Sequence, residues 1–297
     1  MAIDIDLIAG SAPKRTPKPA WLTVQLPRGD DYERVKAKVN ALQLNTVCKE
    51  AMCPNIAECW GAGTATIMIL GDTCTRGCRF CNVKTGNPKG LVDWLEPKRV
   101  ANAVRDLGWQ YLVLTAVDRD DLPDGGALIF ANTIRAIHET VAGSKVEILS
   151  GDYRGETSAL DIVLDAKPDV FAHNLETVRR LTPNVRDKRA KYDQSLHILA
   201  HAKRRAPGYY TKTSLMLGLG ETEAELEQAM DDARAVGIDL FTMGQYLQPT
   251  KKHLPVVEFV TPEKFDRLGR LARSKGFHQV VSSPLSRSSY HAEQAFH

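Results

Sequence analysis

The 297-residue sequence has no apolar run that approaches the roughly 20 residues of a membrane-spanning helix. Its amino terminus, MAIDIDLIAGSAPKRTPKPAWL, carries acids where a secretory signal needs a basic stretch followed by a long apolar one. The expectation is a cytoplasmic protein that works without a membrane. Charge of one sign is lacking too: 39 Lys and Arg against 36 Asp and Glu leave +3, too little for a nucleic-acid footprint. Internal repeats, low-complexity tracts and coiled-coil heptads are absent, which excludes solenoids and fibrous assemblies and leaves a monomer as the default. With 43% hydrophobic and 25% charged residues the chain can bury a sizeable core, in one large α/β barrel or two smaller domains.

Cysteine is missing from most of the chain. All six, Cys48, Cys53, Cys59, Cys74, Cys78 and Cys81, lie between positions 48 and 81. Cysteines used for packing would be scattered. A chain of this length without an export signal has no need of disulfide staples. Metal or cluster ligation becomes the leading explanation.

Short aliphatic or β-branched runs recur at residues 64–70, 111–117, 145–149, 170–174, 210–217 and 240–247, and predict six strands. Helical periodicity fills the spaces, with Val100, Val104 and Leu107, then Ile129, Ile134 and Ile137, then Leu226, Met230 and Ala233. Alternating βα units imply a parallel sheet, here an α/β fold of partial (β/α)6 barrel type, since six units fall short of a closed eight-fold barrel. Chemistry in such folds collects after the carboxyl ends of the strands. The segments there, GDTCTRGCRFC (71–81), VDRDDLPDGG (117–126), NLETV (174–178), GLGET (218–222) and QPTKKH (248–253), are polar, ionisable and glycine-rich. Three stretches are expected: 1–62 as an amino-terminal extension anchored by Trp21 and Leu22, 63–275 as the barrel, and 276–297 as a carboxyl-terminal segment.

Cys74, Cys78 and Cys81 have the spacing C-x3-C-x2-C on the loop after the first strand. Three soft thiolates there can take three corners of a [4Fe–4S] cube and leave one iron open to a small-molecule chelator. A three-cysteine zinc site is the alternative, disfavoured because zinc ribbons pair C-x2-C units. With Phe80 before the last cysteine, the motif resembles the radical S-adenosylmethionine superfamily. The resemblance implies that the cluster reduces S-adenosylmethionine to methionine and a 5′-deoxyadenosyl radical.

A second triplet, Cys48, Cys53 and Cys59, has the spacing C-x4-C-x5-C, and six thiolates exceed what one cluster uses. Together with Lys18-Pro19-Ala20-Trp21-Leu22, Asp118-Arg119-Asp120-Asp121-Leu122, His173-Asn174-Leu175-Glu176-Thr177 and Arg287-Ser288-Ser289-Tyr290-His291-Ala292-Glu293, it is similar to the lipoyl synthases within that superfamily. The resemblance implies two [4Fe–4S] clusters, the auxiliary one held by Cys48, Cys53, Cys59 and a serine of the RSSY motif, assigned to Ser289 over Ser288. It implies that this auxiliary cluster gives sulfur to carbons 6 and 8 of an octanoyl chain on a carrier-protein lysine. An oxygen ligand is less well matched to iron–sulfur chemistry than thiolate, which suits a cluster that is consumed.

Partners implied are octanoylated lipoyl-carrier domains, namely 2-oxoacid dehydrogenase E2 subunits and the glycine cleavage H protein. A reductant such as ferredoxin or flavodoxin and an iron–sulfur carrier complete the set. Around the radical triplet, the resemblance implies Phe80, Asn174, Glu176, Arg189 and Gly218 as the candidate S-adenosylmethionine contacts. For His173, Asn174 and Glu176 capping of the next helix is the plainer alternative, and for Arg186 and Arg189 a basic helix face. Asp118, Arg119, Asp120 and Asp121 read as a charged loop without an assigned role, His253 as surface, and Lys251 and Lys252 as part of a carrier-binding rim. The chain departs from the family pattern at Ala116, at Gly151 where proline is usual, and at Ser283 and Ser286. Two rival readings stay open: a sulfur-inserting enzyme resembling biotin synthase, and a zinc-stabilised nucleic-acid-binding module.

Overall fold

The computed structural model describes residues 17–290 apart from 25, 27 and 63, so the first part of the amino-terminal extension and the closing His291-Ala292-Glu293 lie outside the described residues. In chain order the strands are β1 (Asn45–Thr46), β2 (Thr66–Ile69), β3 (Thr73–Cys74), β4 (Lys84–Thr85), β5 (Tyr111–Ala116), β6 (Lys145–Leu149), β7 (Val170–Ala172), β8 (Tyr210–Leu217), β9 (Leu240–Gln245) and β10 (Gln279–Ser282). The α-helices are α1 (Asp30–Ala41), α2 (Val47–Glu50), α3 (Ile56–Gly61), α4 (Glu96–Leu107), α5 (Ala127–Thr140), α6 (Thr157–Leu164), α7 (Thr182–Val185), α8 (Tyr192–Arg205), α9 (Glu223–Ala235) and α10 (Pro262–Ser274).

One eight-stranded sheet runs β1-β2-β5-β6-β7-β8-β9-β10, and β3 with β4 forms a separate small ribbon. Every pairing in the large sheet is parallel except β1 with β2. The edges β1 and β10 are not bonded to each other, so the barrel stays open. All six expected strands are present, β6 and β8 with the expected bounds and β2, β5, β7 and β9 with trimmed ends. Leu70 and Gly71 adopt left-handed backbone, φ 68° and 89°, which turns the chain out of β2 and into the cysteine loop. The sheet also recruits β1 and β10 from the two flanking stretches, so residues on both sides of positions 62 and 275 share one ladder.

The strands are buried on both faces because helices cover the outside, the rule for parallel sheets. Helix α4 buries Val100, Val104 and Leu107, starts with Pro97 and stops at left-handed Gly108. Helix α9 opens with a capping box in which the Glu225 amide donates to Thr222 Oγ1 at 3.3 Å and the Thr222 amide to Glu225 Oε2 at 2.8 Å. Inside, Lys212 Nζ donates to Glu147 Oε1 at 2.8 Å and Tyr111 Oη to Glu147 Oε2 at 2.7 Å. This buried pair spans β7 from β8 to β6 and is tolerated because each charge finds a close partner. Among the described residues no helix is long and apolar enough to cross a membrane.

Candidate functional site

The ribbon β3–β4 closes the loop of the radical triplet into a clip, with the Gly86 amide donating to the Cys74 carbonyl at 2.9 Å. Three neighbouring segments grip it. From the loop after β5, the Asp118 carbonyl accepts from the Thr75 amide at 2.9 Å and Asp120 Oδ2 from Thr75 Oγ1 at 2.9 Å. From the segment after α7, the Asp187 amide donates to Cys78 Sγ at 3.3 Å while Asp187 Oδ2 accepts from the Gly77 amide at 2.9 Å. From the loop after β9, His253 Nε2 lies 2.9 Å from the Cys81 carbonyl and the Leu254 amide donates to the Arg79 carbonyl at 3.2 Å. The surface reading of His253 is therefore corrected: it is half-buried and braces the clip.

Arg76, between Cys74 and Cys78, is buried, and it answers the open question of the acidic loop. Its guanidinium donates twice to Asp120 at 2.9 Å, once to Asp152 at 2.7 Å, and lies 3.7 Å from Asp118. Burial works against ionising Asp152, yet Arg76 holds its carboxyl down to about 2. Burial pushes Asp118 up to about 6 against the opposing Arg76 charge. Gly151 belongs to the same packing: a Cβ there would stand 2.3 Å from Asp118 Oδ1. Arg119 is likewise buried and bonded to Asp121, at 2.8 and 2.9 Å.

The second triplet sits on the short helices α2 and α3, with Cys48 on the first and Cys59 on the second, and on the turn between them, which carries Cys53. Thr46 caps the first, accepting from the Lys49 amide at 3.3 Å, and left-handed Met52 (φ 52°) folds the chain back so that the Cys53 amide reaches the Cys48 carbonyl at 3.0 Å. The carboxyl-terminal segment closes over these helices. Asn55 Nδ2 donates to the Leu285 carbonyl at 2.7 Å and Tyr290 Oη to Glu58 Oε1 at 2.7 Å. Asn82 Nδ2, just after Cys81, donates to the Glu50 carbonyl at 2.9 Å and joins the two triplets.

A single cavity of about 1010 Å³ is lined by all six cysteines, Phe80, Asn174, Glu176, Arg287, Ser288 and Ser289. Arg189 and Gly218 do not line it. Arg189 instead holds Asp187, Nε to Oδ1 at 2.8 Å, and Gly218 with Leu219 donates to the Glu221 carboxylate. Glu176 has left-handed backbone (φ 67°), and Asn174 Nδ2 donates to its Oε1 at 3.2 Å. Asn174 Oδ1 is buried without a partner, so the cavity wall presents an acceptor that a ligand donor would satisfy. The capping alternative fails, because α7 begins only at Thr182 and His173 is engaged elsewhere. Its Nδ1 lies 2.9 Å from the Ser150 carbonyl and its Nε2 2.8 Å from Ser195 Oγ, which accepts from Arg186 at 2.8 Å. Arg186 is buried in this relay rather than on a basic surface.

The donor set suits iron–sulfur chemistry. Burial pushes the thiols up, Cys48 and Cys74 to about 11 and Cys78 to about 12, and raises Cys53 and Cys81. Such thiols become thiolates when a cationic centre compensates them. Among the described residues no three Cys, His, Asp or Glu side chains gather as ligands of one metal ion, whereas a four-iron cube takes each thiolate on a separate corner.

Residues 68–233 match the radical SAM superfamily, and residues 8–53 match the N-terminal domain of lipoyl synthase of the radical SAM family. Lipoyl synthase of Thermus thermophilus is 58% identical over 279 residues, which are 94% of this chain and 86% of that one. The chain belongs to the lipoyl synthase family. It is accordingly a radical SAM sulfurtransferase, and membership implies a [4Fe–4S] cluster and S-adenosylmethionine. Lipoyl synthase of Deinococcus radiodurans is 55% identical over 284 residues, 96% of this chain and 86% of its own. Among solved structures, HydG, a maturase of the [FeFe]-hydrogenase, superposes with a TM-score of 0.57 at 15% identity, covering 84% of this chain and 63% of that one, a likeness of fold alone.

Proposed function

We propose that Cys74, Cys78 and Cys81 hold a [4Fe–4S] cluster beside S-adenosylmethionine, and that Cys48, Cys53, Cys59 and Ser289 hold a second, auxiliary cluster. When bound, the first supplies the electron that yields methionine and a 5′-deoxyadenosyl radical, and the second supplies sulfur, so that carbons 6 and 8 of an octanoyl group on a carrier lysine each exchange a C–H for a C–S bond. One observation carries this reading: both triplets and the Ser288–Ser289 turn line the same cavity and are tied together through Asn82, Asn55 and Tyr290.

The remaining residues bind, orient and brace. Asn174 and Glu176 present polar atoms to the S-adenosylmethionine, and Phe80 supplies apolar wall. Arg189 acts at one remove, by fixing the Asp187 loop against Cys78. Gly218 lets the chain pack closely behind Gln245, which lines the cavity: a Cβ there would stand 2.3 Å from Gln245 Nε2 and from the Glu258 carbonyl. The carriers are lipoyl domains of 2-oxoacid dehydrogenase E2 subunits and the glycine cleavage H protein, with Lys251 and Lys252 exposed at the rim. Ferredoxin or flavodoxin serves as the reductant, and an iron–sulfur carrier rebuilds the auxiliary cluster.

The test is iron and sulfide content after anaerobic reconstitution, then incubation with dithionite, S-adenosylmethionine and an octanoyl-lysyl peptide. About eight irons per chain, 5′-deoxyadenosine and a peptide carrying two added sulfurs are expected. A Cys53→Ala protein should still form 5′-deoxyadenosine but leave the peptide free of sulfur; a Cys78→Ala protein should do neither. Sulfur transfer by the Cys53→Ala protein would remove the auxiliary site from the reading.

A further inference from the structure

We propose that the exposed strap at residues 91–95 is where the lipoyl-carrier domain docks while its acylated lysine enters the cavity. The proposal rests on the sulfur-insertion reading above. Leu91, Trp94 and Leu95 are 76%, 63% and 68% exposed and Leu128 is 40% exposed. Apolar side chains gathered like this on a surface mark an interaction site. Leu95 caps the start of α4, and Leu128 lies in the first turn of α5, the helix packed against α4.

The strap is pinned to the rim of the catalytic end. The Gly90 amide donates to Asp121 Oδ2 at 2.8 Å and the buried Arg119 donates to the Leu91 carbonyl at 2.7 Å. At its other end buried Glu96 accepts from the Leu70 amide at 2.8 Å, at the carboxyl end of β2. Asp118 lines the cavity only three residues before Asp121, so the strap begins within about 15 Å of chain from the cavity wall. A standard protein interface covers about 800 Å² on each partner, a disc of about 16 Å radius. A folded domain of that footprint, delivering a lysine arm at this end of the barrel, reaches the strap.

The chemistry of the occupant follows from the same residues. A rigid tryptophan with flanking leucines is an anchor that pays off when desolvated by an apolar face. Exposed Lys89 and Lys98 flank it, and Asp93 within it is paired with Arg99 at 2.7 Å, so the flanks favour an acidic rim on the partner. The carrier domain is thus expected to present apolar side chains ringed by acids next to its modified lysine.

The experiment compares the wild-type holoenzyme with a Trp94→Ala/Leu95→Ser variant, both reconstituted and both driven by dithionite. Each is given an octanoylated carrier domain and, separately, a short octanoyl-lysyl peptide. The variant should lose at least about tenfold in kcat/KM on the domain, through KM, and bind the domain correspondingly more weakly by calorimetry, while its turnover of the peptide stays within about twofold. Unchanged kinetics on the domain would overturn the proposal, and so would an equal loss on both substrates, which would mean that the strap acts on the site itself. A defect seen only when a protein reductant replaces dithionite would assign the strap to the electron donor, and a wild-type dimer that the variant dissolves would assign it to a second copy of the chain; either result sinks the proposal. Failure of the sulfur-insertion reading looks different: wild type would leave the peptide without sulfur.

Discussion

Ser289 and Ser288 lie in one turn and both line the cavity, so a chemical difference between them must come from the variant proteins. Ser289→Ala should lower iron from about eight to about four per chain and abolish sulfur insertion while 5′-deoxyadenosine still forms. Ser288→Ala should keep both, and Ser289→Cys should restore the iron. The reverse pattern would move the ligand by one residue. His173 gives a prediction of another kind. Its Nδ1 faces a carbonyl and its Nε2 a hydroxyl that Arg186 already occupies, so the neutral ring fits and burial lowers its value from 6.5 to about 4. The unfolded chain therefore takes up this proton first. The contribution of His173 is fully present above pH 6.5 and is lost as pH falls towards 4, with a slope of at most about 1.4 kcal/mol per pH unit. Urea unfolding at pH 7.5 and pH 5 should show a smaller acid loss in His173→Gln than in wild type. That the six cysteines share one site was legible in the sequence, because they fall on two short stretches between positions 48 and 81 and all line one cavity. The bonds of Arg76 to Asp120 and Asp152, and of His253 to the Cys81 carbonyl, were not, since their partners are distant in the chain.

At the scale of elements, apolar runs located the six inner strands because parallel strands buried on both faces must be apolar along their length. They did not reveal β10, whose Gln279–Ser282 is only partly buried, or β1, which has two residues. These two short strands hold the stretches that carry Cys48, Cys53 and Cys59 and the Ser288–Ser289 turn. After β10 the chain passes so near β9 that a Cβ on Gly244 would stand 1.9 Å from the Ser286 carbonyl oxygen, the residue before Arg287-Ser288-Ser289. The Gln245 amide donates to the Pro284 carbonyl at 3.1 Å in the same crossing. Gly244→Ala must displace that segment, at a cost of about 1–3 kcal/mol. The expected result is a lower Tm and loss of auxiliary iron and sulfur insertion, with cleavage of S-adenosylmethionine retained. Equal loss of both activities would mean that β9 itself had been distorted.

Over the whole molecule, stability and cofactor loading are separable. The main core gathers side chains from β2, β5, β6, β7, β8 and β9 and from helices α1, α4, α5, α6, α8, α9 and α10, together with Cys48 of α2 and Trp60 of α3, and the burial of so much apolar surface does not depend on iron. Helices α2 and α3 are held less firmly: they have four and six residues and bury one side chain each, Cys48 and Trp60, and both are below the length at which helices hold without tertiary support. They are joined to the carboxyl-terminal segment by the Asn55 and Tyr290 bonds. A cluster ligated by both stretches would add a cross-link there and none within the barrel. Removing iron with a chelator should therefore leave far-UV circular dichroism almost unchanged, while limited proteolysis gains cuts within residues 47–62 and 283–290. Reconstitution should protect both stretches together, and Cys53→Ala should keep them open even when the radical cluster is loaded. If chelation instead unfolded the whole chain cooperatively, the clusters would have to be counted as part of the core, and the division between a self-sufficient barrel and a metal-closed cover would be wrong.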